Sequence, residues 1–415
     1  MTTDAPAPTM RRVLLAALLP TAVGVLPSFL AGTVAVQLRA DLDFGAGDLG
    51  LLFGAFFGAG AIGSAMLGRW AQHIGSHRAL RVAALAAGAD LMAIALLARS
   101  FATLLVLLAL GGVANALAQP AANLWLSDNV PPAQQGLAFG VKQAAIPAAM
   151  LIGGLAVPAV AVPIGWRWAF AIAAIGAPIA ALTVPARPVA DVGAVHGQHP
   201  RPTRARQPIE APAPLHLRPL LVLACGIAFG AAAAGTIGAF IVSAAVDAGM
   251  GESAAGLLFA FGAAVGLSAR LLLGRRADRV TGGQLATVVA LMAGGSAGYL
   301  LLASESVPVI ALATPFIFAV GWGWPGLFNL SIVRHHPGSA AAATGITQTG
   351  TYVGAVGGPV LFGLAVDAWG YGPSWLLAAA AALAAAATTW TGRHLLRASI
   401  ATRAAQPLMR LSPSQ

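Results

Sequence analysis

Long apolar runs separated by short polar turns occupy almost the whole chain. Each run is close to the roughly 20 apolar residues that a helix needs to cross the hydrocarbon core of a bilayer. The pattern therefore predicts an all-α membrane protein with twelve transmembrane helices and no separate soluble domain. The predicted helices lie at about 13–36, 48–70, 79–98, 101–126, 135–160, 166–185, 217–245, 254–275, 283–303, 307–333, 340–366 and 373–396.

The second half of the chain repeats the pattern of small and charged residues in the first half. The charged turn that begins at Gly68 returns at Gly274, 206 residues later. Gly50 and Gly256 align in the same register. The repeat predicts two pseudo-symmetric six-helix bundles, inserted in the same orientation and related by an axis along the membrane normal. Three further pairs stand 205 residues apart, namely Pro120 with Pro325, Gly140 with Gly345, and Gln143 with Gln348.

The composition changes sharply between the sixth and seventh apolar runs. Prolines and arginines crowd this stretch, which is typical of a hydrophilic linker between two units. The predicted segments are a cytoplasmic N-terminal segment (1–12), a first six-helix bundle (13–185), a cytoplasmic linker (186–216), a second six-helix bundle (217–397) and a cytoplasmic tail (398–415).

The composition is that of a chain embedded in lipid, with 58% hydrophobic and 9% charged residues and a mean hydropathy of +0.81. The net charge of +10 would also suit a protein that binds nucleic acid, but the basic residues lack the interleaved aromatic residues that bind bases. Lys and Arg are instead retained in cytoplasmic loops during insertion. Of the 23 basic residues, only Arg39, Arg99 and Arg167 fall at the outer face, and Lys142 and Arg270 lie inside spans. We therefore expect both termini in the cytoplasm and the chain in the cell (plasma or inner) membrane.

A charged turn follows the eighth apolar run. It contains Gly274, Asp278 and Arg279, with Thr281 where a second glycine would complete the string Gly-x-x-x-Asp-Arg-x-Gly. This string resembles the signature of the major facilitator superfamily (MFS), a family of secondary transporters built from two six-helix bundles. The resemblance extends over about residues 11–397.

The turn after the second apolar run is a weaker copy of this signature. It has Gly68, Gly75 and Arg78, but Gln72 and His73 replace the acidic and the basic residue. The resemblance implies that the two turns latch the bundles together on the cytoplasmic side when the cavity opens outward; the alternative is that these arginines only enforce topology. The predicted gating residues are Gly68, Arg69, Gly75, Arg78, Asp128, Gly274, Arg275, Asp278 and Arg279.

Polar residues within the spans are candidates for contact with a transported solute. The resemblance implies that helices one, four, seven and ten line a central cavity. Independently of it, helix four carries Asn115, Gln119 and Asn123 at steps of four, so that three amides share one stripe. Such amides could equally join one helix to another. The predicted solute-binding residues are Asn115, Gln119, Asn123, Lys142, Gln143, Thr236, Phe240, Trp322, Trp324, Asn329, Gln348 and Tyr352.

Three charged residues lie inside predicted spans, where an unpaired charge is costly. Lys142 either faces the cavity and attracts an anionic group such as a carboxylate, or it snorkels to the surface or pairs with Asp128. Arg270, five residues before Arg275, is expected to snorkel. Asp90, near the middle of helix three, either binds and releases a proton during a transport cycle or makes a structural hydrogen bond to a neighbouring helix.

Strings that resemble enzyme motifs lack the partners that catalysis needs. Residues 294–298 match the nucleophile-elbow pattern, but no histidine lies at the depth of Ser296, and the chain has no P-loop string and no Cys/His metal set. We therefore expect no enzyme activity, cofactor, metal or nucleic-acid partner. The sequence indicates a monomeric secondary transporter that moves a small organic solute, anionic or amphipathic, by alternating access with H⁺ as the coupling ion. The alternatives are an exporter of drug-like compounds or metabolites with the same fold, and a receptor or scaffold that does not transport.

Overall fold

The computed structural model describes residues 9–131, 134–185, 215–279, 282–336 and 339–410. Within these ranges, 12 helices are long and apolar enough to cross a membrane, which confirms the predicted all-α architecture. The first bundle contains α1 (Met10–Thr33), α2 (Ala46–Ile74), α3 (Ser76–Leu97), α4 (Phe101–Asn129), α5 (residues 135–164) and α6 (Trp166–Thr183). The second bundle contains α7 (Leu217–Asp247), α8 (Glu252–Arg279), α9 (Gln284–Leu302), α10 (Val307–His335), α11 (Ala340–Trp369) and α12 (Tyr371–Arg410).

The helix ends differ from the predicted bounds mainly at two places. α1 ends at Thr33 and a separate short helix, Ala35–Leu42, follows it. α12 continues to Arg410 and so includes part of the tail predicted at 398–415. No Gly or Pro stands between Gly392 and Pro407, so nothing in the backbone ends the helix near residue 397. Residues 186–214 of the predicted linker lie outside the described residues.

Two helices, α5 and α10, are interrupted inside the bundles. A proline in a helix interior removes one N–H donor and leaves the carbonyl four residues earlier without its partner. Pro147 and Pro325 stand beside the two interruptions. The segments of α5 are Gln135–Gln143, Ala145–Ala156, a π-helical turn at Val157–Ala161, and Val162–Ile164. The segments of α10 are Val307–Phe316, a π-helical turn at Ile317–Gly321, and Pro325–His335.

Successive helices run in alternate directions, which gives the bundles two distinct faces. We call the end that carries Met10, Thr183 and Leu217 the linker face, because the linker joins α6 to α7 there. The turns from α1 to α2 and from α7 to α8 lie at the opposite face. Both termini of the described chain are therefore at the linker face.

Glycines allow helices of the two bundles to approach each other closely. α5 crosses α8 at Gly154, where an added Cβ atom would lie 2.7 Å from the carbonyl oxygen of Gly256. α2 crosses α11 at Gly50, where an added Cβ atom would overlap the carbonyl oxygen of Pro359. Gly50 and Gly256 are equivalent positions of the sequence repeat. The predicted duplication thus appears in the structure as two equivalent crossings between the bundles.

Hydrogen bonds between the bundles close the opposite face. The carboxylate of Asp367, in the last turn of α11, accepts the backbone N–H groups of Ala46 (2.8 Å) and Gly47 (2.7 Å). These N–H groups begin α2 and have no partners inside their own helix, so the carboxylate caps a helix of the other bundle. Nearby, the Gln37 amide donates to the Glu252 carboxylate at 3.0 Å.

Candidate functional site

Three of the predicted solute-binding residues form one hydrogen-bonded network inside the first bundle. The Lys142 Nζ atom of α5 donates to Oε1 of Gln119 at 2.5 Å. Nε2 of Gln119 in turn donates to Oδ1 of Asn115, one turn away on α4, at 3.4 Å. Lys142 and Asn115 are only 5% and 7% exposed. The structure thus brings together an ammonium group and two amides at the depth of the bilayer.

Lys142 neither reaches the surface nor pairs with Asp128, so both alternatives for this residue are wrong. Asp128 is exposed and accepts a hydrogen bond from the Ser76 hydroxyl at 3.3 Å. The one ion pair among the described residues joins Arg167 to Asp41, at the opposite face. The ammonium charge of Lys142 therefore has no acidic partner in the described part of the chain. A buried charge in this situation attracts an anion.

Arg270 of α8 does not snorkel, and this expectation from the sequence is wrong. Its Nε and Nη2 atoms donate to the Trp322 carbonyl oxygen at 3.2 and 3.0 Å, and Nη1 donates to the Gln143 carbonyl oxygen at 3.4 Å. The guanidinium carbon also lies 5.9 Å from the centroid of the Trp322 ring. The side chain is partly buried and joins α8 to α10 and, across the bundle interface, to α5.

Both carbonyl groups that hold Arg270 lie at interruptions of their helices. The donor that would normally reach Gln143 is the backbone N–H of residue 147, and Pro147 has none. The Trp322 carbonyl lies where α10 leaves its π-helical turn, three residues before Pro325 starts the next segment. A carbonyl at lipid depth needs a donor, and the guanidinium group supplies it in both cases.

The Trp322 ring lies at the interface between the two bundles. Its centroid is 6.3 Å from that of Phe29 of α1 and 6.0 Å from that of Phe318 of α10. An added Cβ atom on Gly238 of α7 would lie 3.4 Å from the Trp322 ring. Three aromatic rings from α1 and α10 therefore lie between Arg270 and the opposite face.

A cavity of about 330 Å³ lies between α2, α4 and α5, toward the linker face from the Lys142 network. Asn123, one turn beyond Gln119, and the predicted gating residue Gly68 line this cavity together with Gln72. The described side chains at the linker-face ends of α2 and α8, among them Arg69 and Arg275, are exposed. The Asp367 cap therefore closes the opposite face, whereas the cavity of the first bundle opens at the linker face.

The other predicted solute-binding residues make no hydrogen bond to the Lys142 network within the described part of the chain. Phe240 and Trp324 are buried in the core of the second bundle against Phe362 and Phe328. Thr236 is buried and donates to the carbonyl of its own helix at Ala233. Asn329 and Tyr352 are partly buried, and Gln348 is exposed.

Asp90 of α3 is buried between three helices of the first bundle and is 7% exposed. An added Cβ atom on Gly111 of α4 would overlap its Oδ2 atom, and the Phe56 ring lies against the same glycine. Neither carboxylate oxygen has a hydrogen-bond partner among the described residues. Gly111 precedes Asn115 by one turn of α4, so Asp90 lies about 6 Å along that helix from the amide network.

The charged turns of the predicted gate are placed at the linker face. Gly75, between α2 and α3, has φ +90°, a conformation that favours glycine over residues with a Cβ atom. Arg78, Gly274 and Arg279 are exposed. The side chain of Asp278 lies outside the described residues.

The match to a known protein family agrees with the two-bundle fold described above. The family model described as Major Facilitator Superfamily matches residues 17–359. The chain belongs to the major facilitator superfamily. Comparison with curated protein sequences gave no match. MFS membership confirms the resemblance seen in the sequence and places the chain among membrane transporters, not enzymes.

Solved structures of other MFS transporters superpose over nearly the whole chain. A bacterial homolog of the human lysosomal transporter Spinster, inward-facing and unoccupied, has a TM-score of 0.65 at 18% identity, covering 94% of this chain and 96% of that chain. The same homolog, inward-facing and occupied, has a TM-score of 0.65 at 17% identity, covering 95% and 96%. A mutant of the nucleoside transporter NupG has a TM-score of 0.67 at 14% identity, covering 91% and 99%. At these identities the likeness establishes the MFS fold and not the solute.

The sequence pattern missed the role of Arg270 and the aromatic contact of Phe29. The sequence did contain one signal for this contact. Pro147 stands four residues after Gln143, so the Gln143 carbonyl has no intrahelical donor. No local pattern connects that carbonyl to an arginine 127 residues away. The Asp367 cap of α2 was missed for the same reason, since its partners are 320 and 321 residues distant.

Proposed function

We propose that this MFS transporter carries a small organic anion, and that Lys142 is the charged group that attracts it. The observation that carries the proposal is the buried Lys142 ammonium, bonded to a neutral amide of Gln119 and without an acidic partner in the described residues. Removing a cation from water costs several kcal/mol, and an anion beside it offsets much of that cost. Gln119 and Asn115 then supply amide donors and acceptors that orient the solute.

Transport by alternating access follows from the arrangement of the two bundles. The Asp367 cap and the glycine crossings close the opposite face, while the cavity beside Asn123 opens toward the linker face. Rocking of the bundles about the interface at Trp322 would reverse these openings. We propose that the turns at Gly68–Arg78 and Gly274–Arg279 then latch the linker face, with Asp128 and the arginines as ion-pairing groups.

We further propose that the linker face is the cytoplasmic side of the cell membrane. Basic residues are concentrated at this face, which is the distribution that the insertion machinery produces in cytoplasmic loops. The chain would then work as a monomer with both termini inside the cell. In this orientation the state described here is open to the cytoplasm.

Proton coupling through Asp90 is the coupling mechanism that we propose. Burial of a carboxylate without hydrogen-bond donors disfavours its charged form, so proton uptake stabilises the state described here. Asp90 packs against Gly111, one turn from Asn115 on α4, and a change in its charge therefore acts on the helix that carries the amide network. The proton and the solute would bind at separate places in the same bundle.

Export of drug-like compounds is a second candidate function. The observation that favours it is the group of three aromatic rings, Phe29, Phe318 and Trp322, at the closed end of the interface. Such rings bind lipophilic and cationic compounds. The unpaired charge of Lys142 opposes binding of cations, which is why the anion proposal is preferred.

The test is uptake into proteoliposomes with an imposed pH gradient and a panel of labelled carboxylates and lipophilic cations. We expect a carboxylate to be the best substrate. Lys142→Gln should lower its uptake at limiting concentration by about tenfold or more, the effect of losing a hydrogen bond to a charged group. Arg99→Gln removes an exposed positive charge far from the site and should transport like the wild type.

Three outcomes would contradict the anion proposal. Unchanged carboxylate uptake by Lys142→Gln would remove Lys142 from the site. Preferential uptake of lipophilic cations would favour the exporter. Absence of flux for every compound, in a sample whose thermal unfolding shows that it is folded, would favour a receptor or scaffold.

A further inference from the structure

The Arg270 guanidinium carries a charge that the protein does not neutralise. Its three hydrogen bonds go to two main-chain carbonyls, which are neutral acceptors. A guanidinium group has five N–H donors, so at least two remain for another partner. No carboxylate within the described residues forms an ion pair with it. The residue as a whole is partly buried.

Arg270 of the second bundle contacts α5 of the first bundle at the residue next to Lys142. Arg270 reaches the carbonyl of Gln143, the residue that follows Lys142, and consecutive Cα atoms are about 3.8 Å apart. Lys142 belongs to the first bundle and Arg270 to the second. Each of the two cations lacks an acidic partner in the described part of the chain, so each is available to an anionic group of a solute.

We propose that Arg270 is a second solute-binding group and that the cargo is a dianion. One anionic group of the cargo binds the Lys142 ammonium and the other binds the Arg270 guanidinium. Dicarboxylates and phosphate monoesters have this charge. The inference rests on the proposed anion transport and narrows its substrate class.

The two carbonyls that bind Arg270 hold its guanidinium group in place for the second anionic group. Hydrogen bonds from a guanidinium to an anion are about twice as strong as bonds between neutral groups, and carboxylate and phosphate match its planar fork. The cargo therefore binds the N–H donors that the Trp322 and Gln143 carbonyls leave free. A dianion bound in this way joins the two bundles, whereas a monoanion contacts only one cation.

The experiment compares each dianion with a matched monoanion on the same skeleton. Malonate, succinate and glutarate are each paired with the monomethyl ester, and methyl phosphate is paired with dimethyl phosphate. Affinities are measured above neutral pH, where both carboxyl groups are ionised, from tryptophan fluorescence of the purified protein. The wild type should bind its best dianion about tenfold or more tightly than the matched monoanion.

Variants of Arg270 test whether this side chain binds the second anionic group of the cargo. Arg270→Gln should weaken the dianion until its affinity equals that of the monoanion, which should itself bind as in the wild type. Arg270→Lys keeps the charge but not the fork and should retain part of the preference. Arg218→Gln, an exposed arginine at the start of α7, is the matched control and should keep the wild-type ratio.

Equal binding of each dianion and its monoester by the wild type would overturn the dianion inference, even if Arg270→Gln does not fold. If Arg270→Gln keeps the preference for the dianion over its monoanion, the inference is also overturned, because another group would then bind the second anionic group. In both cases anion binding that depends on Lys142 would leave the proposed function standing. Failure of every anion to bind would instead overturn the proposed function and this inference with it.

Discussion

At the scale of single residues, the unusual feature of this transporter is how its intramembrane charges are held. Lys142 bonds to an amide, Arg270 bonds to two backbone carbonyls, and Asp90 has no partner among the described residues. Structural charges in membrane proteins are normally paired, and charges without an opposite partner mark sites that bind ions or solutes. The three residues therefore carry the functional proposals made for this chain.

Replacement of Asp90 by asparagine tests proton coupling at this scale. Asn has nearly the same size but cannot take up a proton, so Asp90→Asn should abolish accumulation driven by a pH gradient. Exchange of labelled solute without a gradient should continue. The measurement is uptake of the best substrate in proteoliposomes under both conditions.

The control for this variant is Asp43→Asn, at an exposed position of the opposite face. Asp43 has φ +50°, and asparagine tolerates this left-handed conformation as well as aspartate does. The Asp43→Asn variant should transport like the wild type. Accumulation by Asp90→Asn at the wild-type level would remove Asp90 from the coupling mechanism.

At the scale of helices, small residues decide how closely the bundles approach. Gly50 of α2 and Gly256 of α8 each face the backbone of a helix in the other bundle, where an added Cβ atom would meet Pro359 or the Gly154 carbonyl oxygen. Without a hydrophobic driving force between helices in lipid, such close backbone contact is a main source of their association. The two crossings hold the opposite face closed.

Alanine at Gly50 or Gly256 should therefore shift the protein toward the state that is open at the opposite face. The added methyl group would overpack the crossing at a cost of about 1–3 kcal/mol. Distances between spin labels at Arg99 and Ser304, both exposed at that face, would measure the opening. The native Cys225 is exposed and has to be replaced first.

Gly357→Ala is the matched glycine control, because no atom lies within 4 Å of a Cβ atom at this position of α11. It changes helix propensity by about 1 kcal/mol in the same direction as the other two variants. An unchanged label distance in Gly50→Ala and Gly256→Ala would show that these crossings do not restrain the opposite face.

At the scale of the whole molecule, the opposite face is closed by electrostatics as well as by packing. The Asp367 carboxylate of the second bundle caps the N-terminus of α2 in the first bundle, and Gln37 bonds to Glu252 across the same face. A helix N-terminus carries a partial positive charge, which favours a carboxylate at this place. These bonds exist only while the opposite face is closed, so they bias the equilibrium between the two states.

Asp367→Asn should weaken this closure by removing the negative charge while keeping the side-chain size. A carboxylate at a partly buried helix terminus is worth up to about 2 kcal/mol, so the ratio of open to closed molecules should rise by up to about 30-fold. The Arg99–Ser304 label distance distribution would report this change. Asp43→Asn, an exposed position at the same face, should leave the distribution unchanged.

The sequence by itself determined the number of spans, the duplication and part of the candidate site. Apolar runs of spanning length predict the twelve helices because lipid forces every backbone polar group into a local hydrogen bond. The stripe of Asn115 and Gln119 is also local, since residues four apart on a helix share one face. Lys142 was predicted because a charged residue inside an apolar run can be recognised without knowing what it contacts.

Only the tertiary structure decided which groups meet across the bundles. Arg270 binds carbonyls 52 and 127 residues away, and backbone carbonyls carry no residue identity that a sequence pattern could detect. Trp324 and Phe240 share helices with the cavity lining but point into the core, because helix rotation is set by packing against neighbours. Spacing along one helix therefore identified candidates, whereas contacts between distant helices selected among them.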